Sequence, residues 1–425
     1  MAQRFLASFF ALITLLFCIA LDANAAKKNV VFWLSIDGFR GDYLTRTHTP
    51  NFDKLLAKSF YTTKLTPIFP SITFPSHASQ ATGVQVAEHG ITSNAFYDSQ
   101  IGTIFSYPGD SKLLQAEPIW QTVKRGGLKS AVLDWPLSYQ QTGPYKSDYF
   151  HEEYNSALSD EERVKLALDE FEKGPSTKES YDLVMAYIVG TDSVGHSFGP
   201  NDARVLQVVE KIDLLMETIQ SRLKEIAKKK YNDEANIYLL VTTDHGMIDV
   251  THAVNIRLFT LLSQQSPIRT VTGGNIGHMF LDKVPASEHA SILAKTKADL
   301  KQYPFVKVFA KNELPKRWDF AHTTRVGDIV LILDSGYIFS AGAKRPVVPI
   351  AEIGNPLGMH GYDPKNEKDM QGFMMLYRWP EFPRGSQIRK EPHALQLHPT
   401  VAKLLKVAPS EKAKAPAIQV FKHLY

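Results

Sequence analysis

Five short apolar runs constrain this chain most: 30–36, 131–135, 183–189, 237–242 and 329–333 pass almost without polar alternation. A strand that is apolar on both sides must be covered on both faces, which is the signature of a buried, parallel-rich sheet. The intervening segments carry helical periodicity. The clearest starts near Asp202, where Val205, Val208, Val209, Ile212, Leu215, Met216, Ile219, Leu223 and Ile226 form one stripe ahead of Lys228, Lys229 and Lys230. Cations at that end suit a helix C-terminus. Strands alternating with helices predict a layered α/β domain. A further helix is expected over 287–303, inside a small inserted region at about 285–325, and a closing helix over 395–405. The last dozen residues, rich in Lys, Ala and Pro, read as an extended tail. No repeat or low-complexity segment interrupts the pattern.

The first 25 residues differ from the rest. Arg4 precedes an apolar run over 5–21, and Ala23-Asn24-Ala25 places small residues where a cleavage site needs them. This is the layout of a secretory signal peptide, with a retained anchor as its rival. Residues 26–425 are then expected to form one catalytic domain, exported to the periplasm with full secretion as the alternative, and with no further membrane span. The single cysteine, Cys18, falls inside the signal. A metal site in the mature chain must therefore use His and carboxylates. A formal charge of +4 over 425 residues does not fit a nucleic-acid duplex as partner.

Acidic residues and histidines recur just past the predicted strand ends, where open α/β sheets bind ligands. They occur as Ser35-Ile36-Asp37-Gly38, as Asp192 and His196 after the run 183–189, as Asp244-His245-Gly246 after 237–242, and as His360 in a Gly/Pro-rich loop. An isolated Asp after a strand is ordinarily a cap or turn residue. Four such clusters point instead to metal chemistry: two ions held by six ligands can stabilise the attacking and leaving oxygens of a phosphoryl displacement. The proline-flanked stretch 69–77 offers Ser71, Thr73 and Ser76 as hydroxyl nucleophiles, and residue chemistry alone does not choose among them.

Those stretches resemble the nucleotide pyrophosphatase/phosphodiesterase family of the alkaline phosphatase superfamily. The matching motifs are SIDGFRGDYL (35–44), TPNFDKL (49–55), FPSITFPSHASQATG (69–83), EHGITSN (88–94), EPIW (117–120), TDSVGHSFGP (191–200), TTDHGM (242–247) and MHGYDP (359–364). The resemblance implies an alkaline-phosphatase-like three-layer α/β/α fold with a mixed, mostly parallel central sheet. It implies two zinc ions, one held by Asp37, Asp244 and His245 together with the nucleophile Thr73, the other by Asp192, His196 and His360. Asn94 would donate to a phosphate oxygen, and Phe74 and Tyr154 would clamp a nucleotide base. Thr73 would attack phosphorus to give a phosphothreonine, which water hydrolyses to release a nucleoside monophosphate. His77 and His89 lie inside motifs and read as structural, Asp42 as a local cap, and Trp135-Pro136 as core. His48, His151, His252, His278 and His322 receive no role.

Two substrate alternatives remain within the family: a choline-type phospholipid head-group diester and a phosphate monoester. The stretch 66–95 holds no Lys or Arg to match the second charge of a monoester. A non-catalytic binding protein would lack at least one of these residues, and all are present.

Overall fold

Strand β1 (Lys28–Ile36) shows why the central layer needs two covers. Val30, Phe32, Leu34 and Ile36 enter one hydrophobic core, whereas Val31 and Trp33 enter another. The first core is closed by helices α1 (Pro50–Leu56), α4 (Asp160–Lys173) and α6 (Ala203–Tyr231). The second is closed by Ala81 of α2 (Thr73–Thr82), by α3 (Ile119–Arg125) and by α8 (Leu397–Leu404). Each large side chain removed from water in this way contributes about 1.5–3 kcal/mol. The computed structural model describes residues 27–176, 178–260 and 267–420; the expected signal peptide, with Cys18, lies outside them.

The remaining strands of this sheet are β2 (Phe60–Leu65), β3 (Ser130–Val132), β4 (Tyr149–Phe150), β5 (Leu183–Ile188), β6 (Ala235–Thr243), β7 (Gly372–Trp379) and β8 (Ser386–Gln387). Their order is β8-β2-β7-β6-β1-β5-β3-β4, and β7 alone runs against the others. This is the alkaline-phosphatase-like, mixed and mostly parallel three-layer arrangement. The periodic stripe becomes α6, capped by Asp202, whose side chain accepts from the Arg204 N–H, and closed by Asn232 in the left-handed region.

The structure corrects four details. The run 131–135 stops as a strand at Val132, because Asp134 takes a positive φ of 61°. The run 329–333 is a strand, but it leaves the main sheet for a second, antiparallel one, between Ile276–Phe280 and Val306–Ala310, with Arg269–Gly273 at the far edge. It carries the same signal because it too is covered twice, with Val330 and Ile332 facing one cluster and Ile329, Leu331 and Leu333 another. Helix α7 (Ala286–Leu300), over most of the expected 287–303, packs on this second sheet. The expected extended tail is packed down over its described residues, to 420: Ile418 and Val420 are buried in the second core, and the Ile418 N–H donates to Thr400 Oγ1 at 2.8 Å. Asp42 precedes a short 3-10 turn without capping it, and spends its carboxylate on Arg40 at 2.6 and 2.8 Å.

The turn of the second sheet reaches two loops outside it, those that carry Ser93 and Gly361. A Cβ placed on Gly273 would lie 2.7 Å from Ser93 Oγ, and Asn275 Oδ1 lies 2.8 Å from where a Cβ on Gly361 would stand. On the opposite cover, α1 has Pro50 at its first turn and no side-chain cap of its own. Its free N–H groups are taken by the buried carboxylate of Asp213 in α6, which accepts from Asn51 N, Phe52 N and Asn51 Nδ2 at 2.7–3.2 Å. Removing that acceptor leaves buried donors unsatisfied. Asp213→Ala is expected to cost about 2–3 kcal/mol, and Asp213→Asn less, as read from urea midpoints at constant slope. Equal midpoints for wild type and Asp213→Ala would show that the carboxylate does not cap the helix.

Candidate active site

The registers of three neighbouring parallel strands place the site. Ile36 of β1 is level with Ile188 of β5 and Thr243 of β6, so all three strands end on one line. Asp37 follows the first, Asp244 and His245 the third. After β5 the chain turns into α5 (Gly190–Phe198), where Asp192 and His196 stand one helical turn apart on one face. Gly38 has φ +62°, and a Cβ there would lie 2.9 Å from Asp192 Cα, so only glycine lets these two strand ends approach. His360 follows Gly358–Met359, a two-residue strand paired with Ile248–Asp249. Thr73 is the first residue of α2, where unbonded N–H groups and the helix dipole favour a nearby anion.

Two foci result. At the first, the Nε2 of His245 lies 3.1 Å from Asp244 Oδ2, 3.4 Å from Asp37 Oδ1 and 3.3 Å from Thr73 Oγ1. At the second, Asp192 Oδ1 lies 3.3 Å from His196 Nε2 and 3.5 Å from His360 Nε2, which are 3.2 Å apart. Asp192 also groups with Asp37 and His245, so it stands between the foci.

The hydrogen bonds aim the ligating atoms. Nδ1 of His245 bonds the Gly246 carbonyl at 2.9 Å, that of His196 the Gly358 carbonyl at 2.8 Å, and that of His360 the Ser71 carbonyl at 3.0 Å. Each ring thus presents Nε2 inward, the outer-shell arrangement of metal-binding imidazoles. Asp37 Oδ1, Asp192 Oδ1 and Asp244 Oδ2 are buried with no hydrogen-bond donor, while their partner oxygens at Asp37 and Asp244 are occupied by the Tyr187 hydroxyl and by the N–H groups of Gly38 and His245. Buried carboxylate oxygens without donors fit a cation-binding centre. Thr73 is thereby separated from Ser71 and Ser76: Ser71 Oγ donates to the Tyr362 carbonyl, and the buried Ser76 Oγ has no partner.

Charge is concentrated here. Burial raises Asp37 well above the ordinary carboxylate range, and Asp244 and Asp192 raise it further. Burial opposes ionisation of Asp192 too, but His196 and His360 outweigh it and hold the carboxyl at about 2. Burial would lower His196; Asp192 reverses this and lifts it to about 9. His77 stays behind the centre, bonding Ser35 Oγ at 2.9 Å and the Thr73 carbonyl at 2.8 Å, and burial lowers its pKa. His89 is spent on Ser79 and the Ile91 N–H.

A cleft of about 450 Å³ opens from the second focus; Thr73, Asn94, Phe74 and Tyr154 line it, and none of its lining residues is Lys or Arg. Asn94 Oδ1 accepts from the Phe74 N–H at 2.9 Å, which turns its amide nitrogen away from that bond. Sequence reading misses further lining residues, among them Tyr107, Tyr139, Glu152 and Glu153. Tyr107 packs edge-on to Phe74 with centroids 5.7 Å apart. Its only cue in the sequence is its place before Pro108-Gly109 in a turn.

The layered fold and this centre define an enzyme of the alkaline phosphatase superfamily. The family model "type I phosphodiesterase / nucleotide pyrophosphatase" matches residues 31–363, and the chain belongs to that metal-dependent family. It is 30% identical over 345 residues to an uncharacterised pyrophosphatase/phosphodiesterase of Schizosaccharomyces pombe, covering 79% of this chain and 68% of that protein. It is 30% identical to a bis(5'-adenosyl)-triphosphatase of Xenopus laevis, with 83% and 74% covered. Murine ectonucleotide pyrophosphatase/phosphodiesterase 5, solved as an inactive threonine-to-alanine variant in complex with AMP, superposes with a TM-score of 0.76 at 23% identity, covering 93% and 99% of the two chains.

Without a bound cation these groups make stability depend on pH. His196, raised from its ordinary value to about 9, contributes stability that is present below the unfolded value and lost as pH rises through the folded one. Asp37, also raised, has the same sign. The melting temperature of chelator-treated protein is expected to fall relative to zinc-supplemented protein between about pH 6.5 and 9. Parallel melting curves across that window would contradict this electrostatic picture of the centre.

Proposed function

We propose that this enzyme hydrolyses nucleotide phosphodiesters and pyrophosphates, releasing a nucleoside monophosphate through a phosphothreonine at Thr73. One observation carries the reading: Thr73 Oγ1 stands 3.3 Å from His245 Nε2, at the mouth of a helix N-terminus and beside carboxylate oxygens that have no other partner. Asp37, Asp244 and His245 would hold one zinc ion, and Asp192, His196 and His360 the other. The mixed imidazole and carboxylate donor set suits zinc. Bound zinc would supply Lewis-acid stabilisation of the attacking and leaving oxygens.

The chain's own groups do the rest. Helix α2 presents Thr73 to phosphorus at its positive end; the new P–O bond forms as the bond to the leaving alcohol or nucleotide breaks. Asn94, its carbonyl engaged by Phe74, offers its amide N–H to a non-bridging phosphate oxygen. Water then cleaves the phosphothreonine and restores the hydroxyl. Phe74 and Tyr154 flank the space for the base. The lack of Lys or Arg in the lining supports a diester, with one charge at the reacting phosphate, over a monoester with nearly two.

A phospholipid head group is the second reading, favoured by Glu152 and Glu153 among aromatic rings in the outer cleft, where a quaternary ammonium would be matched. The export signal at 1–25 supports a periplasmic enzyme whose catalytic domain is 26–425. Among the described residues no helix is long and apolar enough to cross a membrane.

Turnover of p-nitrophenyl thymidine monophosphate is expected to exceed that of p-nitrophenyl phosphate, and faster monoester turnover would overturn the diester assignment. Sphingomyelin and glycerophosphocholine assays separate the head-group reading. Thr73→Ala should lower kcat by on the order of 10³-fold or more with metal content unchanged. Asn94→Ala should lower it by about 10²–10³-fold. Undiminished hydrolysis by Thr73→Ala would move the nucleophile elsewhere.

A further inference from the structure

The outer wall of the cleft comes from two loops, one lined by Pro136, Tyr139 and Gln140, the other by Glu152, Glu153 and Tyr154. Neither loop forms a helix or a strand beyond the single bridge of Tyr139 to Asp110, and the first has Asp134, Leu137 and Gln140 in the left-handed region. Non-glycine residues there persist only where surrounding contacts impose them. Behind both loops lies Arg163 of α4, its side chain only 2% exposed.

Arg163 touches both loops. Its Nη1 donates to Asp134 Oδ2 at the base of the first. Its Nη2 donates to the Asn155 carbonyl in the second at 2.5 Å. The guanidinium carbon lies 4.4 Å from the centroid of the Tyr154 ring, which is otherwise 41% exposed. The remaining oxygen of Asp134 meets His151 Nδ1 at 2.8 Å, tying the start of the second loop to the same carboxylate. A planar fork fits this position, since two nitrogens serve two loops while the face of the group backs an aromatic ring.

Resting on the reading that Tyr154 flanks the base, we propose that Arg163, through Asp134, is a positioning residue that sets the aromatic wall for the nucleoside part of the substrate. It touches no reacting atom. Its effect therefore falls on binding of a nucleoside and not on the phosphoryl step, a separation that a purely structural role would not produce.

The test uses the zinc-supplemented full-length enzyme with p-nitrophenyl thymidine monophosphate and with methyl p-nitrophenyl phosphate, which has no base. Tyr154→Ala is expected to raise KM for the nucleotide by about tenfold, as loss of a base–aromatic contact does. Arg163→Lys, which keeps the charge but loses the fork and the face, should raise it about three- to tenfold with kcat held. The double variant should be no worse than Tyr154→Ala alone, and kcat/KM for the methyl ester should be unchanged in Arg163→Lys. Asp134→Asn, which retains the shape at a buried position, should act in the same direction and serves if Arg163→Lys does not fold. If Tyr154→Ala raises the nucleotide KM and neither partner variant does, or if the variants slow both substrates equally, the positioning role is wrong. If Tyr154→Ala itself leaves KM unchanged, the base-flanking reading fails first and takes this proposal with it.

Discussion

The carboxylates of Asp37, Asp192 and Asp244 gather just past the ends of three adjacent strands and repel one another, and the rest of the site answers that repulsion. In Asp37, Asp192 and Asp244, one oxygen each is left without a donor where water is excluded. An arrangement of this kind is costly unless positive charge enters it. The fold supplies part of that charge through imidazoles and the first turn of α2, and leaves room for cations to supply the remainder. Because β1, β5 and β6 finish level, small changes in register would separate the three acids. The apolar layers on both faces hold that register, so the core serves the chemistry directly.

The division of labour within the cleft follows from the same geometry. The inner end is built on strand and helix termini and has little freedom. The outer end is built on loops, and its chemistry is aromatic and acidic, with no basic residue among the groups that line it. A common reaction at the inner end is therefore compatible with different esters at the outer one. Loops on a rigid scaffold are where such variation is tolerated.

Much of this is legible in the sequence, for identifiable reasons. Strands buried on both faces announce themselves as apolar runs, and an acid directly after such a run is visible without coordinates. Asp37 and Asp244 are of this kind. The run 329–333 misleads because burial on two faces says nothing about which sheet a strand joins. Strand β7 has the same apolar character yet stands outside the five runs, and its reversed direction has no one-dimensional signal at all. Asp42 illustrates a competition that local rules miss, since Arg40 two residues away claims the carboxylate that a turn would otherwise use. Tyr107 and Glu153 become part of the site only when distant loops fold over it. The described part of the tail obeys a similar logic: a stretch rich in Lys, Ala and Pro reads as extended, yet Ile418 and Val420 within it are buried in the second core.

The second sheet bears on the centre from behind. Its turn at Gly273 and Asn275 abuts Ser93 and Gly361, which are the immediate neighbours of Asn94 and His360. The loops that carry Asn94 and His360 thus rest on a floor made by a different sheet, with its own hydrophobic cluster. A change in that turn would therefore meet the neighbours of Asn94 and His360 before it met either residue. The second sheet is accordingly part of the mechanical foundation of the catalyst, and its sequence is answerable to the site as well as to its own packing.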